Sequence, residues 1–283
     1  MKVFSLDDYK RIKEKDISEL EKVVTSSDEL KFVLKKRWFL RLRKVLNDFD
    51  DNLSFNDGAY DLFRILSYEY SVDVLDKKLL NIACLAKKQG KQRSYRKTRK
   101  ELSSTQTNQI FGSLFEINIL SGIIASCESV ELYPQVGSGG QDVEAKLIVD
   151  DRMIFAEAKS FGYSNYDPAG RVGVHSIDSM QRQIFDGLKA KLSPDKPLFE
   201  LSRKYPTVLL LSLGFNADIH SCSWAIESYY AECSSNVSLI LVFGSALCRG
   251  MMKAFHNKNS SLQLSDNEHR YFEKSFFEQC AII

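Results

Sequence analysis

Two stretches, Thr207-Val-Leu-Leu-Leu-Ser-Leu213 and Val237-Ser-Leu-Ile-Leu-Val-Phe243, are almost unbroken apolar runs of strand length. A strand with one face in water alternates apolar and polar residues, whereas one covered on both faces does not, so these runs read as central strands between helical layers. The segment between them, about residues 222–233, has helical character, and a helix joining two such strands implies a parallel crossover. Around this core the order reads helix (105–124), strand (130–136), a hairpin, helix (177–192), strand (206–213), helix (222–233) and strand (237–243). The expected fold class is therefore α/β, a mixed central sheet with helices on both faces, preceded by an N-terminal helical bundle. The tail after Cys248 reads as two further helices, the second opening at Ser265 with Glu268 as a capping box and packing through Tyr271, Phe276 and Cys280.

Residues 5–89 supply the bundle. Ser5, Ser27 and Asn56 each precede acidic residues that suit the positive end of a helix dipole. Leu30, Val33, Leu34, Trp38, Leu42, Val45 and Phe49 recur at helical spacing, as do Leu75, Leu79, Ile82 and Leu85. Trp38 and Phe39 read as core, while Lys31, Lys35, Lys36, Arg37, Arg41, Arg43 and Lys44 form either a solvated face or one turned to phosphates. The division expected is a helical region, 1–100, ending in a basic segment, and an α/β region, 101–283; a chain of 283 residues, 44% hydrophobic, can build a core in both.

The most informative stretch chemically is Gly139–Ser160, GGQDVEAKLIVDDRMIFAEAKS, which reads as two short strands joined by a turn at Asp150-Asp151. With those two as loop residues Val149 faces Arg152, and counting back puts Glu144 opposite Glu157 and Asp142 opposite Lys159, all four on one face. Three carboxylates and an ammonium at the end of an otherwise apolar hairpin make a poor core, because unpaired buried charge is costly. They make a good site for a hard cation such as Mg²⁺ or Mn²⁺, which relieves the repulsion between the carboxylates. For Glu144 an ion pair with Lys146 or Lys159 is the alternative to a place in such a site.

Asp142, followed beyond the turn by Glu157-Ala158-Lys159, resembles the motif of the PD-(D/E)xK, or restriction-endonuclease-like, nucleases. Glu116 in IFGSLFEINIL stands where that family often has an acidic residue on the helix before the hairpin, and SMQRQIFDGLKAKL supplies Gln181 and Gln183 as supporting residues. Gln141 replaces the proline usual before the first aspartate. The resemblance spans roughly residues 105–244. It implies a restriction-endonuclease-like core and Mg²⁺-dependent hydrolysis of DNA, with Mn²⁺ as substitute, by an endonuclease of restriction or defence type. Asp142, Glu157 and Glu116 would be metal ligands, and Lys159 would position the attacking water and stabilise charge. An RNA nuclease of the same fold, or a catalytically silent nucleic-acid-binding module, are the alternatives.

Residues 87–100, KKQGKQRSYRKTRK, hold eight basic side chains and no acidic one, in a chain whose formal net charge is only +2. Lys91, Arg93, Arg96, Lys97, Arg99 and Lys100 are thus candidates for non-specific phosphate contact; the alternative is a solvated linker. The loop Phe161–Ser176, directly after Lys159, would flank a substrate with Tyr163, Tyr166, Arg171 and His175. The six cysteines are scattered without a Cys-x-x-Cys pair and the four histidines are isolated, so thiols are expected reduced and a zinc site has no support. The first residues lack a signal-peptide run, and no run reaches the ~18 continuous apolar residues of a spanning helix, so a cytoplasmic protein without a membrane partner is expected. A homodimer or a partner subunit is left open.

Overall fold

The computed structural model describes residues 6–48, 57–136, 141–161, 177–213, 221–233, 236–248 and 251–281. Ser5, Phe49, Asn56, Tyr163, Tyr166, Arg171 and His175 lie outside the described residues. The N-terminal region forms α1 (Leu6–Ser26), α2 (Leu30–Val33), α3 (Lys36–Asn47), α4 (Gly58–Arg64, continuing as a π-helical turn over Ile65–Glu69), α5 (Val72–Lys88) and α6 (Gln92–Glu101). Leu30, Trp38, Phe39, Leu42, Leu62, Leu75 and Leu79 bury together, and the rings of Trp38 and Phe39 meet edge to face at 4.9 Å. The α2 start is capped from another helix: the Asp76 carboxylate of α5 accepts the N–H groups of Asp28, Glu29 and Leu30 at 2.8, 2.8 and 2.7 Å, satisfying donors a helix start leaves free.

The basic stretch is helical, not a linker. It ends α5 and makes α6, because Tyr95 and Thr98, three residues apart, form a buried stripe against α7 (Thr107–Ser126). Two of its cations serve the fold: Lys91 donates to the Tyr133 carbonyl at 2.9 Å, and Arg99 pairs with Glu29 at 3.1 Å. Arg93, Arg96, Lys97 and Lys100 remain exposed. Helix α7 is apolar on nearly every side, with Ile110, Leu114, Phe115, Ile117, Leu120 and Ile123 fully buried. Among the described residues it is the one helix long and apolar enough to cross a membrane, and it lies in the protein core, packed against α4, α5, α6 and the sheet.

The sheet contains β1 (Ser129–Leu132), β4 (Ala145–Val149), β5 (Arg152–Ser160), β6 (Thr207–Ser212), β7 (Leu239–Phe243) and β8 (Met252–His256), in the order β1-β4-β5-β6-β7-β8. Strands β5, β6 and β7 run parallel, and the remaining pairs are antiparallel. The apolar runs sit at its centre, buried throughout. Ala145, Leu147, Ile154, Ala156, Val208, Leu210 and Leu241 face the core shared with α7. Phe155, Leu209, Leu211, Ile240 and Val242 face Ile184 and Leu188 of α8 (Ile177–Lys191) and Ala225 and Ile226 of α10 (Ser221–Glu232). Helices thus cover both faces, as the apolar runs require.

Three elements depart from the sequence reading. The strand expected over 130–136 breaks at Tyr133, which is in the left-handed region (φ 47°), and at Pro134, which has no N–H to donate; β2 (Gln135–Val136) then pairs with β3 (Gln141–Asp142) in a separate two-stranded ladder. A short α9 (Pro197–Ser202) starts on the proline that suits a first helical turn. The tail opens with strand β8 instead of a helix, because Met252–His256 finds its backbone partners on the open edge of β7. Helix α11 (Asp266–Arg270) does carry the Ser265–Glu268 capping box, and it runs through a π-helical stretch (Tyr271–Phe276) into α12 (Phe277–Ala281), burying Phe272, Phe276 and Cys280.

Candidate functional site

Asp150 and Asp151, at φ of 53° and 61°, make the two-residue turn, and the ladder runs from Val149↔Arg152 to Ala145↔Ala156 as counted from sequence. There the pairing stops. The Glu144 carbonyl accepts the Tyr133 N–H at 2.9 Å, and the Glu144 carboxylate turns to accept the Ala158 N–H at 3.0 Å. Glu144 therefore bridges to the strand backbone between Glu157 and Lys159 and pairs with neither lysine the sequence offered it. Lys146 instead pairs with Glu131, directly across from it on β1. Asp142 is backbone-paired with Gln135, not with Lys159, so the face-sharing argument ends at the break; its side chain lies outside the described residues.

Glu157 is only 5% exposed, on the α8 face of β5, and its carboxylate pairs with the Lys191 ammonium. Glu116, on α7, accepts hydrogen bonds from the Thr98 hydroxyl at 2.6 Å and the Tyr133 hydroxyl at 3.0 Å. Burial pushes the Glu144 carboxyl well above its ordinary pKa, with the charges of Glu157 and Glu116 adding to the rise. Glu116 is raised as well, burial outweighing its two hydrogen bonds. For Lys191 burial opposes the charge, yet Glu157, Glu144 and Glu116 together lift its pKa above the usual lysine value. Three carboxyl groups, from α7, the hairpin break and β5, thus act on one ammonium: Glu157 pairs with it, while burial favours the neutral form of Glu144 and Glu116.

Tyr133 organises two of them. Its N–H and hydroxyl reach Glu144 and Glu116, and its left-handed backbone, costing on the order of 1–3 kcal/mol, is held by these contacts and by Lys91 on its carbonyl. A cleft of about 400 Å³ opens beside Glu157, lined by Lys159, Phe161, Gly187, Ala190 and Lys191. Lys159 is exposed at this cleft. Gly187 allows the close approach of α8, since a Cβ there would stand 3.0 Å from Phe161 Cζ and 3.2 Å from its Cδ1.

Lys191 was missed in the sequence, although a signal exists: it falls seven residues after Ile184, on the stripe with Leu188, where an inward-facing residue belongs. Gln181 lies about 15 Å earlier along α8 and Gln183 is exposed; no described contact joins either to the carboxylates. The basic helix α6 does reach the site, through Thr98 on Glu116 and through the charge of Lys97, which lowers the Glu116 pKa.

The donor set is carboxyl oxygen, which suits a hard divalent cation. Glu116, Glu144 and Glu157 are nonetheless not drawn into one tight shell. Among the described residues the group whose ligand atoms all lie within 4.8 Å of one another is His256, His269 and Glu273, at the far edge of the sheet. Two histidines that look isolated in sequence thus meet in space.

No family model matches the chain, and no curated protein matches it. Among solved structures it is similar to SfsA of Pyrococcus furiosus, determined in complex with Ca²⁺, at 17% sequence identity and a TM-score of 0.25. The likeness covers 54% of this chain and 64% of that one, just under two thirds of its length.

Proposed function

We propose that this chain is a Mg²⁺-dependent nuclease that hydrolyses DNA phosphodiester bonds, as an endonuclease of restriction or defence type. The observation that carries the reading is the convergence of Glu116, Glu144 and Glu157 from α7, the hairpin break and β5, beside a cleft that Glu157 and Lys159 line. Burying three carboxyl groups together is costly to a fold even when each finds a partner, and a bound cation would let all three ionise. Asp142 and Glu157 would hold the cation, with Glu116 holding a second cation or its water shell. When bound, such a cation supplies a water of lowered pKa and neutralises charge on the phosphate.

The chain's own groups do the rest. Lys159, at the cleft, donates hydrogen bonds to the attacking water and to a phosphate oxygen, and its charge favours the pentavalent transition state over the ground state. Glu144, tied to the Ala158 N–H, fixes the strand between Glu157 and Lys159 so that both present to the same cleft. Arg93, Arg96, Lys97 and Lys100 hold the phosphate backbone from α6, which adjoins the site through Thr98.

A second reading has its own support. The Lys191 ammonium already pairs with Glu157, and a lysine in that position can replace a cation and leave a silent nucleic-acid-binding module. The two are separated by incubating the chain with plasmid, linear duplex, single-stranded DNA and RNA in Mg²⁺, Mn²⁺ or chelator. The nuclease reading expects cation-dependent cleavage of a DNA substrate. Binding without cleavage in either cation supports the silent module, and cleavage of RNA alone moves the substrate to the other polymer.

A further inference from the structure

We propose that His256, His269 and Glu273 form a second metal site, for an ion of the Zn²⁺ class, at the open edge of the sheet. Their ligand atoms lie within 4.8 Å of one another, and they come from separate elements: His256 ends β8, His269 lies in α11, and Glu273 follows it by four residues in the π-helical stretch. His256 Nε2 stands 3.0 Å from Glu273 Oε1, and the two imidazole rings meet edge to face with centroids 4.2 Å apart.

An unsatisfied imidazole nitrogen points to a ligand beyond the His256–Glu273 pair. His269 Nδ1 is buried and has no hydrogen-bond partner, which is rare for a polar atom in a native fold. The second imidazole packed against it gives that atom no hydrogen bond, and its Nε2 turns to Glu273. A metal ion uses imidazole lone pairs directly and balances the carboxylate. In a tetrahedral shell with bonds of about 2.1 Å, ligand atoms sit about 3.4 Å apart, so small side-chain adjustments suffice. Two imidazoles and one carboxylate select Zn²⁺, Co²⁺ or Ni²⁺ over Mg²⁺, whose preference is for oxygen.

The scaffold is rigid where the site needs it. The Ser265 hydroxyl and Glu268 carboxylate cap the start of α11 reciprocally, Arg152 of β5 holds Glu268 at 3.0 Å, and buried Phe272 and Phe276 flank Glu273. His256 and Glu273 are 42% and 41% exposed, so an ion enters from solvent, and three protein ligands leave a fourth position open to water. The bound ion would pin β8, the last strand of the sheet, to the C-terminal helix. π-Helical turns often mark such functional positions.

The test uses the full chain stripped of metal, titrated with Zn²⁺ against a colorimetric chelator and followed in parallel by thermal melting. We expect a Zn²⁺ affinity and a Zn²⁺-induced rise in melting temperature that Mg²⁺ does not reproduce. His256→Ala and Glu273→Gln, both at exposed positions, should each weaken Zn²⁺ binding by about tenfold or more and abolish the rise, with metal-free melting unchanged. Glu157→Gln should leave Zn²⁺ binding intact, which separates this site from the carboxylate cluster. Co²⁺ should give visible absorption bands that disappear in His256→Ala. Equal Zn²⁺ affinity and melting shift in wild type and both variants, as binding by scattered thiols would give, overturns the proposal, and so does an equal effect of Mg²⁺.

Discussion

Replacing Lys191 with Met removes the one described ammonium paired with Glu157 while keeping most of the side chain's apolar length. Glu157 is almost fully buried and Lys191 retains 24% side-chain exposure, so the pair is mostly desolvated but still feels solvent. Breaking a buried pair by deleting one partner costs roughly 3–5 kcal/mol, and the partial exposure of Lys191 brings the expectation down to about 2–3 kcal/mol. Mg²⁺ should compensate: a cation at 100 times its dissociation constant contributes about 2.7 kcal/mol to the folded state, close to what was removed. The assay is urea denaturation of wild type, Lys191→Met, Glu157→Gln and the double variant, each with and without Mg²⁺. The double variant should lose less than the sum of the singles, by about 1–3 kcal/mol. Strict additivity, together with a Mg²⁺ response in Lys191→Met no larger than in wild type, would refute the idea that Lys191 and a cation neutralise the same carboxylates.

Other outcomes follow from the same geometry. Changing Arg93, Arg96, Lys97 and Lys100 together to Gln should flatten the salt dependence of duplex binding by roughly 0.9 per lost contact without altering stability, whereas Arg99→Gln should destabilise the fold by breaking its pair with Glu29; a salt titration and a denaturation curve check the two. Gly122→Ala should cost about 1–3 kcal/mol in a denaturant titration, because a Cβ there would stand 3.2 Å from the Cys280 backbone nitrogen and 3.3 Å from its Cα, where α7 and α12 pack closely. Burial raises the folded pKa of Glu116 and Glu144 above the unfolded value, so the folded state holds the extra protons and metal-free stability should fall as pH rises from the ordinary carboxylate range through those raised values. Mg²⁺ should flatten that fall, since it favours the ionised carboxyls; melting curves across pH with and without Mg²⁺ decide it.

How much was legible in the sequence depends on how local the cause is. The central strands were readable because burial on both faces writes an unbroken apolar run, and the hairpin register held from Val149 to Ala145 because Asp150-Asp151 can adopt positive φ. The break at Glu144 was not readable, since it depends on Tyr133, held in a left-handed conformation between β1 and β2, reaching its carbonyl. Strand β8 has little β character of its own and exists because β7 leaves an edge to pair with. Glu116 was singled out by the family resemblance, and its burial was not legible, because Thr98 and Tyr133 come from α6 and the residue after β1 to cover it. The meeting of His256 and His269 has no local cause at all; tertiary packing alone brings a strand end to a helix thirteen residues later.

The most direct measurement of the central claim is single-turnover cleavage of linear duplex and plasmid DNA in Mg²⁺ by wild type and by Asp142→Asn, Glu157→Gln and Lys159→Ala, with circular dichroism confirming that each is folded. The account predicts cleavage by wild type that chelator abolishes. Asp142→Asn and Glu157→Gln should lose both Mg²⁺ binding and cleavage, and Lys159→Ala should keep Mg²⁺ binding while its rate falls by about 10²-fold or more. Undiminished cleavage by folded Glu157→Gln would contradict the account.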